Sequence, residues 1–293
     1  MTSTIGDGSP CEAIEDETER GECEEQEQGT ERARSLYERY FKISDAERRW
    51  HEKLGTDPYT SNDVLFEAVK SVAWADRLGR FSIKFAGIPR IPGADYIADA
   101  NKIVWSKDPY ELKDYNLKVL RDAGVDEESI EAFLDNPWYS PTMETTLIAA
   151  LKSLHGVAGR RHVLTAATNV ASEAEARFVL ESIVAMTWYN TERSPIHEFM
   201  EDEHFPFAST GAGLLLVILP VDYLVWTAEM SGLAQAAAQQ HRSGIDPSQR
   251  ELWLLGGASA RAKQGITALG WTVRDNQLAV IRATTVDAKA AAE

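Results

Sequence analysis

The chain has 293 residues, 44% of them apolar, a formal net charge of −16 and two cysteines. That is enough apolar material for one large core or two ordinary ones, and it excludes a chain that is disordered throughout. An acidic protein without a stripe of Lys and Arg cannot displace the counterions of a phosphate backbone, so nucleic acid is not an expected partner.

The acidity is concentrated at the start, where residues 1–30 hold ten acidic side chains and one basic one. Such a block repels itself and has little to bury, so its composition predicts a solvated, disordered leader over residues 1–30. The alternative is an acidic arm for a basic partner or a weakly held divalent cation. Cys11 and Cys23 both fall inside it, with neither a further thiol nor a histidine at metal-ligand spacing, which allows one disulfide but no disulfide framework. The first residues, Met1-Thr-Ser-Thr-Ile-Gly-Asp7, lack the basic start and apolar stretch of a secretory signal. The longest apolar run, Leu214 to Val221, contains Pro220 and is too short to cross a bilayer. The expectation is a soluble chain with no transmembrane segment, cytoplasmic by default.

From residue 31 to residue 205 the pattern predicts a helical domain of six or seven amphipathic helices. Asp57-Pro58, Asp108-Pro109, Ser140-Pro141 and Ser194-Pro195 each put a capping oxygen before a proline whose missing N–H costs nothing in a first turn. Ser172-Glu-Ala-Glu175 reads as a capping box, and Asp108 with Glu111 approximates one. Gly55, Gly79, Gly124, Pro137 and Gly156 supply stops. Between them apolar residues recur at helical spacing, as in Leu65, Val69 and Val72, or Leu147, Leu151 and Leu154. Residues 80–93 break this rhythm and read as a short strand or an extended connection, because two prolines interrupt them.

Residues 206–283 read as a small β-α-β-α-β unit, so the fold class is α+β. Gly213-Leu-Leu-Leu-Val-Ile-Leu219 and Glu251–Leu255 are the first two strands, joined by a helix over Tyr223–Gln240; Ser259–Leu269 is a second helix and Trp271–Arg274 a third strand. A crossover helix between two strands of one sheet requires them to run parallel. The helix at Ser259 should bury Ile266 and Leu269 and expose Lys263. Residues 284–293 read as a fraying tail.

Several stretches look familiar together. Lys53-Leu-Gly-Thr-Asp-Pro-Tyr-Thr-Ser-Asn62, Val104-Trp105 before Asp108-Pro109, Asn136-Pro-Trp-Tyr-Ser-Pro141, Glu173-Ala-Glu-Ala-Arg-Phe178, Pro220-Val-Asp-Tyr-Leu-Val-Trp226, Gly257-Ala-Ser-Ala-Arg-Ala262 and Ala268-Leu-Gly-Trp271 resemble a family of uncharacterised bacterial proteins, many of them exported. The resemblance spans most of residues 50–273. It implies a cell-envelope or periplasmic setting as the alternative to the cytoplasm, and it implies no chemistry.

Two candidate sites stand out. In Gly256-Gly-Ala-Ser-Ala-Arg261, the glycines Gly256 and Gly257 permit close backbone approach, Ser259 stands at an N-cap, and Arg261 could close over an anion held by the first-turn N–H groups. The competing reading is an ordinary β-α turn, since neither a G-x-G-x-x-G nor a P-loop is present. In Ser194–Phe205, a helix starting at Ser194 would align His197, Glu201 and His204 on one face as a divalent-metal site, with Asp202 or His241 as further ligands; the competing reading is a solvated acidic face. Asp222 and Glu229 lie near the end of the first strand, where Asp222 is read as a helix cap. Trp105, Trp138, Tyr139, Trp226 and Trp271 read as packing. No nucleophile elbow and no cysteine–histidine pair is visible. The leading expectation is a non-enzymatic binding or scaffold protein that holds a protein partner or small anionic ligand, with no evident cofactor. The alternative is a metal- or phosphate-dependent hydrolase.

Overall fold

The computed structural model describes residues 43–77, 95–201, 206–239 and 249–281. The leader with Cys11 and Cys23, the segment 80–93, His204, Asp202, His241 and the tail from 284 lie outside them. Within them the class is α+β. Eight helices come first: α1 (Asp45–Leu54), α2 (Asp63–Arg77), α3 (Asp95–Ser106), α4 (Pro109–Asp122), α5 (Glu127–Leu134), α6 (Pro141–Ser153), α7 (Arg160–Thr168) and α8 (Glu173–Glu192). A mixed sheet follows, built from β1 (Ile196–Met200), β2 (Phe207–Thr210), β3 (Leu215–Leu219), β5 (Arg250–Leu254) and β7 (Thr272–Arg274). Beside it lie a two-residue pair, β4 (Tyr223–Leu224) with β6 (Gly257–Ala258), and two helices, α9 (Ala228–Gln239) and α10 (Ala260–Ala268).

Most helix starts follow the capping chemistry. Asp108 and Glu111 form a reciprocal capping box ahead of Pro109, Ser140 accepts from Met143 N–H ahead of Pro141, and Ser172 accepts from Glu175 N–H. Asp57-Pro58 does not start a helix. The Asp57 carboxylate instead accepts the Tyr59 N–H at 2.9 Å, closing a turn, and α2 begins six residues later with Asn62 accepting Leu65 N–H. Ser194-Pro195 does not start a helix either. It leads into β1, which pairs antiparallel with β2 and touches Ala158 through Ala158 N–H to His197 O and Phe199 N–H to Ala158 O. The register of β1 slips between Ile196 and Glu198, so Ile196 and Phe199 both point into the core. A bulge of this kind puts residues three apart on one face, which is the spacing of a helix.

The parallel unit is present. β3 pairs parallel with β5 from Leu215↔Arg250 to Leu219↔Leu254, and β5 pairs parallel with β7 from Glu251↔Thr272 to Trp253↔Arg274. It is extended by features that the hydrophobic pattern does not announce: β1 and β2 add to β3 antiparallel, and the chain after β3 forms β4 rather than a helix at Tyr223. Asp222 therefore does not cap a helix. That role belongs to Thr227, whose hydroxyl accepts the Met230 N–H at 3.1 Å.

β3 is buried along nearly its whole length because both faces of the sheet are covered. Leu216, Ile218 and Trp253 face α8 and share one core with the central helices, while Leu215, Val217, Leu252 and Leu254 face Ala262, Ile266 and Trp271 on the other side. α8 is the joint between helices and sheet. Its Ser182 hydroxyl donates to Ile218 O at 2.9 Å, and Trp188 and Tyr189 pack on Trp253 with ring centroids 5.9 and 5.0 Å apart. On the far side, Arg250 donates to Ala238 O at 2.9 Å and holds the end of α9 against the sheet. Ile266 is buried and Leu269 partly so, as the pattern of α10 requires, but Lys263 is half-buried because it pairs with Asp275 at 2.8 Å. Among the described residues no helix is long and apolar enough to cross a membrane.

Candidate functional site

The Gly256–Arg261 turn sits where the parallel topology puts it, between β5 and α10. Three of its backbone donors are engaged within the chain: Gly256 N–H bonds Val221 O at 2.9 Å, Gly257 N–H bonds Asp222 O at 2.8 Å, and Ser259 N–H bonds Leu224 O at 2.9 Å. The Ser259 hydroxyl accepts from Ala262 N–H at 3.1 Å, so the serine acts as an N-cap. The glycines are needed for a packing reason. A Cβ at Gly256 would collide with the Asp222 carbonyl, and one at Gly257 would lie 3.0 Å from the Tyr223 ring, which lies across the turn. From the other side Asn276 N–H bonds Gly256 O at 2.7 Å, and Leu278 N–H bonds Leu255 O at 3.0 Å. Gly256, Gly257 and Ser259 thus hold β4 beside β6, and Arg261 is exposed at the start of α10.

The stretch that was to hold a metal is a strand over Ile196–Met200, with His197 and Glu201 both exposed and His204 outside the described residues. Four residues of extended chain separate two Cα atoms by roughly 13 Å, against about 6 Å on a helix. The alignment of His197, Glu201 and His204 on one helical face therefore does not occur. Among the described residues no group of three or more His, Cys, Asp and Glu side chains is placed to hold a metal ion.

Other polar groups do come together. The loop after α1 meets the first turns of α6 and α8: Thr142 donates its hydroxyl to Asp57 Oδ1 at 2.6 Å, and Ser61 donates to Glu173 Oε1 at 2.7 Å, where Arg177 also binds at 3.0 Å. Burial pushes the Asp57 carboxyl above its ordinary range, against the pull of the Thr142 and Tyr59 hydrogen bonds and of the Arg177 charge. Nearby, Asn136 donates to Thr168 O at 3.0 Å and accepts Trp138 N–H at 2.9 Å. Each side chain there ties one chain segment to another.

On α6, one turn further on, Glu144 is pushed up to about 8, chiefly by desolvation, with Lys113 and Asn116 pulling it down and Asp135 pushing it up. The residue keeps some exposed surface, yet its carboxyl is withdrawn from water. Asn116 is fully buried, donates to Thr145 Oγ1 at 3.1 Å, and has an Oδ1 with no donor.

The surface itself offers a further feature. Among the described residues five large apolar side chains are strongly exposed, and three of them belong to one short segment: Tyr223 at 60%, Val225 at 54% and Leu233 at 50%. A monomer scatters such residues singly, and clustering marks an interaction surface. Tyr223 lies on β4, Val225 just after it and Leu233 on α9, and among the described residues β4 pairs with β6 alone. Nothing in the hydropathy of 223–233 marks this surface, which the sequence pattern reads as part of a crossover helix over Tyr223–Gln240. The chain matches no protein-family model, no curated protein and no solved structure.

Proposed function

We propose that this protein is a binding module whose recognition surface is the β4–α9 segment of its α/β part, carried on the helical part as a platform. The observation that supports it is the exposed cluster of Tyr223, Val225 and Leu233 on consecutive elements. Burying these three on a partner removes from water on the order of 300 Å² of apolar surface, worth several kcal/mol at about 25 cal/mol per Å². The partner class is protein, because exposed apolar side chains on a strand and a helix suit a peptide or protein surface.

Panning a phage-displayed library of random peptides on the immobilised chain tests this reading. Enriched peptides should bind the wild-type chain and lose binding to a Tyr223→Asp, Val225→Asp double variant that keeps its melting temperature. Equal binding to both chains, or no enrichment at all, overturns it.

A further inference from the structure

Resting on that reading, we infer that the occupant of this surface is an extended peptide segment with alternating apolar and basic residues, added as a strand to the outer edge of β4. The register of the β4–β6 pair fixes which backbone groups face outward. Gly257 N–H bonds Asp222 O and Ser259 N–H bonds Leu224 O, so residues 222 and 224 turn their carbonyls toward β6. In a ladder the intervening residue faces the other way. The N–H and C=O of Tyr223 and the N–H of Val225 therefore point away from β6, while Val225 C=O is used by Thr227 N–H at 3.1 Å. Among the described residues no strand pairs with that edge. The side chains alternate in step with it: Tyr223 and Val225 are exposed and Leu224 is buried. This is the arrangement that strand addition uses, in which the ladder provides affinity and alternate side-chain contacts provide selectivity.

Charge selects the occupant. From Pro220 to Leu233 the chain carries Asp222 and Glu229 and no basic residue. The Glu181 carboxyl on α8 is raised by burial, pulled down by the Arg177 charge and pushed up again by the Asp222 charge. Among the described cations that follow, Arg250 is buried and donates to Ala238 O at the end of α9, Lys263 is paired with Asp275, and Arg261 is on α10, which continues from the paired strand and not from the open edge. A second copy of this chain would bring the same acidic groups against each other, and like-charge juxtaposition disfavours it. A segment with Lys or Arg beside its apolar residues meets an acidic rim and an apolar stripe together.

The test uses the full chain and four acetylated synthetic octapeptides: alternating Val-Lys, alternating Val-Glu, and two versions of Val-Lys that are N-methylated on one or the other alternate set of amides. Binding is read by fluorescence polarisation at a peptide concentration where the free peptides are unstructured. Val-Lys should bind at least about tenfold tighter than Val-Glu, and Asp222→Lys with Glu229→Lys should reverse that order. Methylating one alternate set should abolish binding while methylating the other leaves it within about threefold, because only one set of N–H groups can face β4. Equal loss, or equal tolerance, with the two methylated peptides overturns strand addition. Peptides enriched in the panning experiment that are acidic, or that tolerate methylation of either set, overturn it and leave the binding function standing. So does a concentration-dependent dimer, seen by sedimentation, that Val225→Asp dissolves. Absence of any enriched peptide overturns both.

Discussion

Replacing Glu144 with Gln should make the protein more stable at neutral and alkaline pH, and the gain should itself depend on pH. In the folded protein this carboxyl titrates at about 8 from an ordinary value of 4.5, with desolvation as the main cause. Below pH 4.5 the group is protonated in both the folded and the unfolded chain and contributes no pH dependence. Between 4.5 and 8 the unfolded chain gives up the proton and the folded one keeps it, so the unfolded state binds fewer protons and stability falls as pH rises. Above 8 both states are ionised and the loss stops growing. At about 1.4 kcal/mol per pH unit, the loss reaches about 3 kcal/mol at pH 7. A glutamine has no proton to lose and no charge to desolvate at any pH in this range. Urea denaturation of both proteins at pH 4.5, 6, 7 and 8.5 measures the difference. It should be small at pH 4.5 and widen steadily to pH 8. A difference that stays constant across this range would refute the assignment of the proton to Glu144, and a difference of opposite sign would show a carboxylate stabilised by Lys113.

Three further outcomes follow from the geometry. Thr142→Val removes the hydroxyl that donates to Asp57 Oδ1 at 2.6 Å and leaves that oxygen the Tyr59 N–H; it should cost about 1 kcal/mol in urea denaturation, and a loss under about 0.3 kcal/mol would show the hydroxyl to be replaceable by water. Gly256→Ala drives a methyl into the Asp222 carbonyl, whereas at Gly211 a Cβ meets nothing within 4 Å; the first should lower the melting temperature by several degrees for a loss of about 2 kcal/mol or more, the second by little, and equal effects would show that β4 is free to move aside. Ser259→Ala should cost about 1 kcal/mol through loss of the cap on Ala262 N–H, while Arg261→Ala leaves stability unchanged within about 0.5 kcal/mol; in a thermal-shift screen of phosphate, nucleotides and dicarboxylates, a ligand whose stabilisation both variants abolish would restore the anion reading of this turn.

Much of the fold was legible because local chemistry and tertiary structure agree. Asp108-Pro109 and Ser140-Pro141 start helices since nothing competes for the capping oxygens, and the run Leu-Leu-Val-Ile-Leu from 215 to 219 is a central strand because both faces are covered. The misreadings share one cause, a side chain or a spacing taken by a longer-range partner. Asp57 looks like a cap, but Thr142, 85 residues away, and the Tyr59 N–H claim its oxygen. Ile196 and Phe199 look helical, but a bulge in β1 gives them that spacing within a strand. Tyr223 looks like the start of a crossover helix, yet β6 captures it first. Of the candidate sites, the Gly256–Arg261 turn was found at its place in the topology, while the Asp57–Thr142 and Glu144–Asn116 pairs could not have been, because each joins helices separated by long stretches of chain.

The glycine pair shows how a sequence signal for one property can arise from another. Two adjacent glycines before an N-cap serine suggest a cradle in which backbone closes around an anion. Here the object that approaches closely is the chain's own backbone at Val221 and Asp222, and the N–H groups of Gly256, Gly257 and Ser259 bond that backbone and align β4. The consequence reaches the surface. Holding residues 222 and 224 toward β6 leaves Tyr223 and Val225 with amides that face away from it, so the same two glycines that let the chain approach itself set the edge on which the proposed surface rests. A recognition role for this part of the molecule therefore moves by one strand, from the loop between β5 and α10 to the outer side of β4. There the exposed groups are a short backbone ladder, apolar side chains and carboxylates, and the complementary object is an extended, basic, apolar chain.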